Sequence, residues 1–357
     1  MDFLIIGGGA VGLASAQSLL QAGYRVTLVE RNVVGQEASW AGGGILSLLC
    51  PWDYPESVTQ LALRGMGMFR DATTLMYEAT GIETEYQRSG MLLLPPIRQE
   101  RALQWCTQHG FEANLVNLVD YLPAHSNKQY RSEGLLLPDV SQVRNPYLLR
   151  ALRAHVEMMG GIILEQHEAL SFELTGEQIS GLQTTRGRIA ADAYIVAAGA
   201  WSKVLLGEHA LGMDVRPIRG QILLFKFDTP PFQQILLRES LYFIPRLDGH
   251  VLVGSTLEDV GFDKSTTVEA RNKLLQQVCE IFPDWCDLLP VKHWAGIRPG
   301  SPDNIPTIGR HPKLTNLYVN SGHFRYGVTM SLSSAELLRN EIEGKPQPFS
   351  VLNYRWH

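Results

Sequence analysis

Three glycines near the start of the chain, Gly7, Gly9 and Gly12, stand at the spacing G-x-G-x-x-G, and an acid, Glu30, follows them. Each suits one task in holding a dinucleotide. Gly7 permits a tight turn, Gly9 lets backbone approach a pyrophosphate, and Gly12 lets a helix pack closely on a strand, while the Glu30 carboxylate can accept hydrogen bonds from a ribose diol. The cysteines point to no comparable chemistry. Cys50, Cys106, Cys279 and Cys286 form no C-x-x-C pair and have no His-rich partner, so no metal site is expected and all four are read as reduced thiols.

The elements around the glycines fit that task. "FLIIG" is a short apolar run suited to a strand buried on both faces, "AVGLASAQSLLQAG" is a helix stopping at Gly23, and "RVTLVE" is a second strand ending in Glu30. The helix start presents unpaired N–H groups and partial positive charge to phosphates. The same run is neither an export signal nor a membrane span. Its first basic residue is Arg25, and Gly7, Gly8, Gly9 and Gly12 interrupt the apolar stretch. From these residues alone, FAD and NAD fit equally.

A length of 357 residues suggests about two domains. With a net charge of -5 and no Lys/Arg block, a nucleic-acid partner is not expected. "PYLLRALRAHVEMMGGIILE" reads as helix then strand, and the stretch from "ALSFELT" to "YIVAAGAWS" as a hairpin-rich excursion returning to a buried strand. "VRPIRGQILLFKF" and "LYFIPRLDGHVLVGSTLED" alternate apolar residues around an "LDGH" turn, which predicts antiparallel strands foreign to a parallel nucleotide-binding core. The expected fold class is α/β, a Rossmann-like cofactor domain with an interleaved, antiparallel-sheet-rich substrate domain. The boundaries are drawn at 1–85, 138–212 and 299–357 for the first and 86–137 and 213–298 for the second.

"ERNVVGQEASWAGGGILS" resembles the second flavin-contacting stretch of the FAD-dependent D-amino-acid oxidase and glycine oxidase family, although read alone it fits a flexible loop equally well. "YIVAAGAWS" is similar to the family's third cofactor motif, and by itself equally an ordinary core strand ending at a glycine turn. "HWAGIRPG" and "HFRYG" carry the narrowest resemblance, to glycine oxidases of the thiamine-biosynthesis type. The resemblance implies FAD as cofactor. Its contacts then include Ala10 and Val11 at the first turn, Arg31 after the acid, and Ala38, Ser39, Gly43, Gly44 and Ile45 in the glycine run. Ala169, Gly199 and Trp201 follow, then Arg298, and then His323, Arg325, Tyr326, Gly327, Val328 and Thr329 before the last helix.

The same resemblance makes Arg298 a carboxylate clamp, because a guanidinium fork matches two carboxylate oxygens. Tyr242 adds a hydroxyl to that carboxylate, and Arg325 runs beside the ring edge and substrate amine. The start of the last helix, at Gly327 to Thr329, is expected to face the flavin edge that becomes negative on reduction. His323 is read as a cofactor-lining or structural residue, since a Cα proton is too weakly acidic for an imidazole to remove unaided. Ser240 and Leu257 are expected to shape the pocket. Monomeric sarcosine oxidases tether FAD through a C-terminal cysteine; no cysteine follows Cys286, so FAD is expected to be non-covalent.

The implied activity is oxidation of glycine, small amines and D-amino acids by hydride transfer to FAD, with oxygen as acceptor, in the cytoplasm. Alternatives are a quinone-reducing D-amino-acid or secondary-amine dehydrogenase, an oxidase domain of a transfer-RNA modification enzyme, and a non-catalytic FAD-binding module. The sequence leaves open whether copies of the chain form a homo-oligomer.

Overall fold

The computed structural model describes residues 1–130 and 132–357. The first apolar run forms the strand Asp2–Ile6, which pairs in parallel with Arg25–Val29 on one side and Ala193–Val196 on the other. Side chains alternate across a strand, so Phe3 and Ile5 enter one core while Leu4 and Ile6 enter another. That double burial explains why the run is apolar throughout. The full sheet has six strands in the order Thr307–Arg310, Leu317–Ser321, Ala193–Val196, Asp2–Ile6, Arg25–Val29 and Ile162–Leu164. All neighbours are parallel except the first pair.

Helices Ala10–Gln21, Asn145–Met158 and Ser331–Glu343 cover one face of this sheet through Leu13, Leu152 and Leu338, and the helix Glu56–Thr80 packs outside the last two through Phe69. The opposite face is covered by the antiparallel hairpins Ala169–Thr175, Gln178–Thr184 and Gly187–Ile189, the excursion predicted before "YIVAAGAWS".

A second sheet has eight strands, ordered Lys292–Gly300, Arg216–Lys226, His250–Gly254, Leu241–Pro245, Ile235–Arg238, Met91–Leu93, Glu133–Leu137 and Asn114–Asn117. Its pairs are antiparallel apart from Ile235–Arg238 with Met91–Leu93. One face packs Phe225, Phe232, Phe243, Phe282 and Trp285 against the helix Val268–Ile281. The period of two then turns Tyr242 and Ile244 toward the first core and the space between the sheets.

The reading of four reduced thiols needs correction. Cys50 and Cys106 are free, whereas Cys279 and Cys286 are paired as a disulfide with Cα atoms 5.1 Å apart. The turn Pro283–Trp285 reverses the chain after the helix and brings the two together, a reversal their spacing did not reveal. Among the described residues no helix is long and apolar enough to cross a membrane.

Candidate active site

A cavity of about 380 Å³ lies at the C-terminal edge of the parallel sheet and extends to the eight-stranded sheet. This is where α/β sheets place ligands. Nearly every residue singled out in the sequence lines it, from Gly7 and Gly9 to Thr329. Ala10 and Gly12 do not. Ala10 is fully buried and its N–H donates to Ser39 Oγ at 3.0 Å. Gly12 lies behind the wall, where a Cβ would overlap the Gly7 carbonyl, so its contribution is the close approach of helix and strand.

At one end, Gly7 turns with φ of +113° where the first strand stops. The Glu30 carboxylate accepts from the N–H of Gly8 at 2.9 Å and of Asn32 at 3.0 Å, which fixes it at the cavity wall with lone pairs to spare. The Arg31 guanidinium lies 3.7 Å from the Trp201 ring centroid and donates to Glu37 at 2.6 Å. Two residues the sequence reading missed back this wall without lining the cavity. Phe262 stacks on Trp201, with centroids 5.1 Å apart, and Lys264 donates to Glu37 at 2.9 Å. Both come from an irregular stretch with no motif around it.

Along the middle, Ser39, Gly42, Gly43, Gly44 and Ile45 form one side. Asn145, also missed, donates through Nδ2 to the carbonyls of Ser39 at 2.7 Å and Gly42 at 3.0 Å. Its position before a proline at a helix start was the only available signal. Opposite, Ala169, Gly199 and Trp201 line the cavity, and the stretch from His323 to Thr329 closes it. The regular helix begins only at Ser331. Gly327, Val328 and Thr329 form the turn before it, and none of their three N–H groups has a partner among the described residues. His323 is 1% exposed, and its Nε2 also lacks a partner. Burial pushes its pKa down to about 3, so it is neutral near pH 7.

The far end is cationic. Arg298 projects from the strand Lys292–Gly300 over Gly220 of the neighbouring strand, where a Cβ would overlap the guanidinium. Its Nη2 donates to Ser255 Oγ at 2.7 Å and its Nη1 to the Thr256 carbonyl at 3.2 Å. Burial lowers its pKa from the ordinary value and nearby Arg325 adds to this, while Tyr242 opposes both. Arg325 lines the cavity beside it. Among the described residues, neither arginine contacts a carboxylate. Two neighbouring cations without anions make a site for an anionic ligand. The Tyr326 hydroxyl donates to Tyr54, a further missed residue, at 2.5 Å.

A second cavity of about 330 Å³ adjoins this end and shares Leu49, Phe324 and Arg325. Ser240 lines it, but Leu257, which was expected to shape the pocket, lines neither cavity and is 52% exposed. Leu257 follows the strand His250–Gly254, where the alternation that would have aimed it has ended.

This chain belongs to the FAD dependent oxidoreductase (DAO) family, whose model matches residues 2–340. It is 38% identical over 354 residues to a glycine oxidase of Pseudomonas aeruginosa, covering 97% of each chain. It is 29% identical to a bifunctional protein ThiO/ThiG of Trichormus variabilis, matching 97% of this chain and 53% of that one. The crystal structure of glycine oxidase from Geobacillus kaustophilus superposes with a TM-score of 0.93 at 25% identity, covering 100% of this chain and 98% of the other. The protein is thus an FAD-dependent oxidoreductase of glycine oxidase type. The cavity fits that cofactor: the free N–H groups of 327–329, the glycine-walled middle and the Glu30 end each match a different part of a flavin dinucleotide.

Proposed function

We propose that the protein is a glycine oxidase that deaminates glycine, small secondary amines such as sarcosine, and small D-amino acids. The observation that carries this reading is the pair Arg298 and Arg325, two cations without carboxylate partners beside Tyr242 at one end of the cavity. Arg298 and the Tyr242 hydroxyl hold the substrate carboxylate at two points, and Arg325 borders the amine end. When bound in this cavity, FAD would supply the two-electron acceptor for a hydride from the Cα that Arg298 and Tyr242 orient, and the route of that electron pair to oxygen as hydrogen peroxide. The remaining imine adds water and releases a 2-oxo acid together with ammonia, or with methylamine when sarcosine is the substrate. Neutral His323 serves as wall, not as base. The unpartnered N–H groups of Gly327, Val328 and Thr329 offer donors for negative charge that develops on the cofactor.

FAD is held without a covalent bond, a reading supported by the lack of a cysteine among the described residues that line the larger cavity. The cofactor sheet with its helices and the eight-stranded sheet act as cofactor and substrate domains at the boundaries given above. The reaction belongs to the cytoplasm and supplies the glycine imine used for the thiazole of thiamine.

Purified protein should be yellow and release intact FAD into the supernatant on acid precipitation. A panel of glycine, sarcosine, D-alanine, L-alanine and ethylamine, followed by peroxide formation, tests the activity. Glycine, sarcosine and D-alanine should react, L-alanine should not, and ethylamine, which lacks a carboxylate, should react far more slowly. Dye reduction without peroxide would replace the oxidase with a quinone-linked dehydrogenase.

A further inference from the structure

Behind the glycine wall lies an arginine used by neither the carboxylate anchor nor the dinucleotide fingerprint. Arg246 directly follows the strand Leu241–Pro245, which carries Tyr242, and is 4% exposed. Its Nη1 donates to Gln142 Oε1 at 2.8 Å and to the Val143 carbonyl at 2.9 Å, and its Nη2 donates to the Gly43 carbonyl at 2.6 Å. Among the described residues it has no ion-pair partner. The surrounding acids Glu85 and Asp248 are held instead by Arg144, at 3.0 and 2.9 Å.

Burying a cation without a carboxylate partner is unfavourable, and an apolar side chain of similar volume would fill the space at less cost. What Arg246 supplies is a fork between two parts of the molecule. Gly43 lines the cavity and approaches Tyr242, whose ring would lie 3.3 Å from a Cβ added there. Gly44 accepts from the N–H of Val143 at 2.9 Å, and Asn145 holds Ser39 and Gly42 from the helix side. Arg246 ties this backbone to the sheet bearing Tyr242 and Arg298.

We propose that Arg246 is a positioning residue that sets the register between the carboxylate anchor and the cofactor, by locking the Gly42–Gly44 backbone to the strand that carries Tyr242. The inference rests on reading Tyr242 and Arg298 as the anchor of an amino-acid oxidase. Hydride transfer is sensitive to such register: a displacement of about 1 Å costs on the order of 100-fold in rate.

The test uses FAD-loaded Arg246→Met, Arg246→Lys and Gln142→Met proteins, with every quantity expressed per bound flavin. In anaerobic stopped flow with glycine, the limiting rate of flavin reduction should fall at least about tenfold in Arg246→Met. Half-saturating glycine should stay within about threefold, because the anchor residues are retained. Arg246→Lys keeps the charge but not the fork and should recover only part of the rate. Gln142→Met, which removes one of three acceptors, should show a smaller loss of the same kind. The visible circular dichroism of the bound flavin, which needs no turnover, should change in the same order. A folded, FAD-loaded Arg246→Met protein with wild-type rate and spectrum would overturn the proposal. Should that variant not fold, an unchanged rate and spectrum in Gln142→Met overturns it. If glycine fails to reduce the wild-type flavin, the oxidase reading falls and the dichroism series alone decides the role of Arg246.

Discussion

Arg298 and Tyr242 approach the far end of the cavity from different strands, one with a guanidinium fork and the other with a single hydroxyl. Their expected losses differ accordingly. Arg298→Ala should lower kcat/KM for glycine by about 2–5 kcal/mol, the loss when a buried charge pair loses one member, mostly through KM if the clamp acts equally in ground and transition states. Tyr242→Phe removes one hydrogen bond to a charged acceptor and should cost about 0.5–3 kcal/mol. Peroxide-coupled kinetics on glycine and D-alanine measure both, and wild-type efficiency in Arg298→Ala would remove the amino-acid reading. His323 makes a prediction about pH. Its folded pKa of about 3 lies below the unfolded value of about 6.5, so the unfolded chain binds the extra proton as pH falls below 6.5. Stability contributed by keeping His323 neutral is fully present well above pH 6.5 and declines as pH falls through that value, by about 1.6 kcal/mol between pH 6.5 and 5. Urea unfolding at those two pH values should show that much less decline in His323→Asn than in wild type. An equal decline in both would mean that His323 is accessible to protons in the native state.

At the scale of elements, the antiparallel pair Arg216–Lys226 and Lys292–Gly300 builds the anchor. Gly220 stands opposite Gly296, two residues from the position facing Arg298, and the long arginine side chain lies across the gap that its missing Cβ leaves. Gly220→Ala should therefore push the guanidinium aside while leaving FAD retention intact, because Gly220 does not line the cavity. The expected outcome is a rise in KM for glycine of about tenfold or more, with FAD content of the purified protein unchanged. An unchanged KM would show that Arg298 reaches its carboxylate by another path. The turn at Gly327, Val328 and Thr329 is likewise an effect of an element, since a chain entering the helix Ser331–Glu343 must pass through groups with no earlier carbonyl to bond.

On the scale of the whole molecule, the two sheets share one chain that crosses between them repeatedly. Strands of the eight-stranded sheet come from 91–137 and from 216–300, and the cofactor sheet is completed by Thr307–Arg310 and Leu317–Ser321 after both. The closing helix Ser331–Glu343 packs Leu337 and Leu338 into the same core as Ile5 and Leu28 near the start of the chain. A chain ended at residue 300 should not fold cooperatively, because it exposes the apolar surface that Leu317, Val319 and Leu338 cover. Circular dichroism melting of that fragment should lack a transition; a sharp one would show that the cofactor sheet is stable without its last strands.

Local patterns carried a large part of this protein in the sequence itself. The apolar strand, the G-x-G-x-x-G turn, the helix stopping before Gly23 and the acid after the second strand all act over short chain distances, and alternation alone separated the antiparallel strands from the parallel ones. Tertiary structure decided what depends on side chains from distant segments meeting. Ala10 lost its expected place at the wall because Ser39 Oγ already takes its N–H, and Leu257 points away because its strand ends before it. The Arg246 fork, the Phe262 stack on Trp201 and the Asn145 brace join residues far apart in sequence, none marked by a motif. Cys279 and Cys286 met through a turn that their spacing could not foretell. Periodicity records which face of an element is buried, because burial is set one residue at a time; it does not record which buried face meets which, since that depends on how the elements stack.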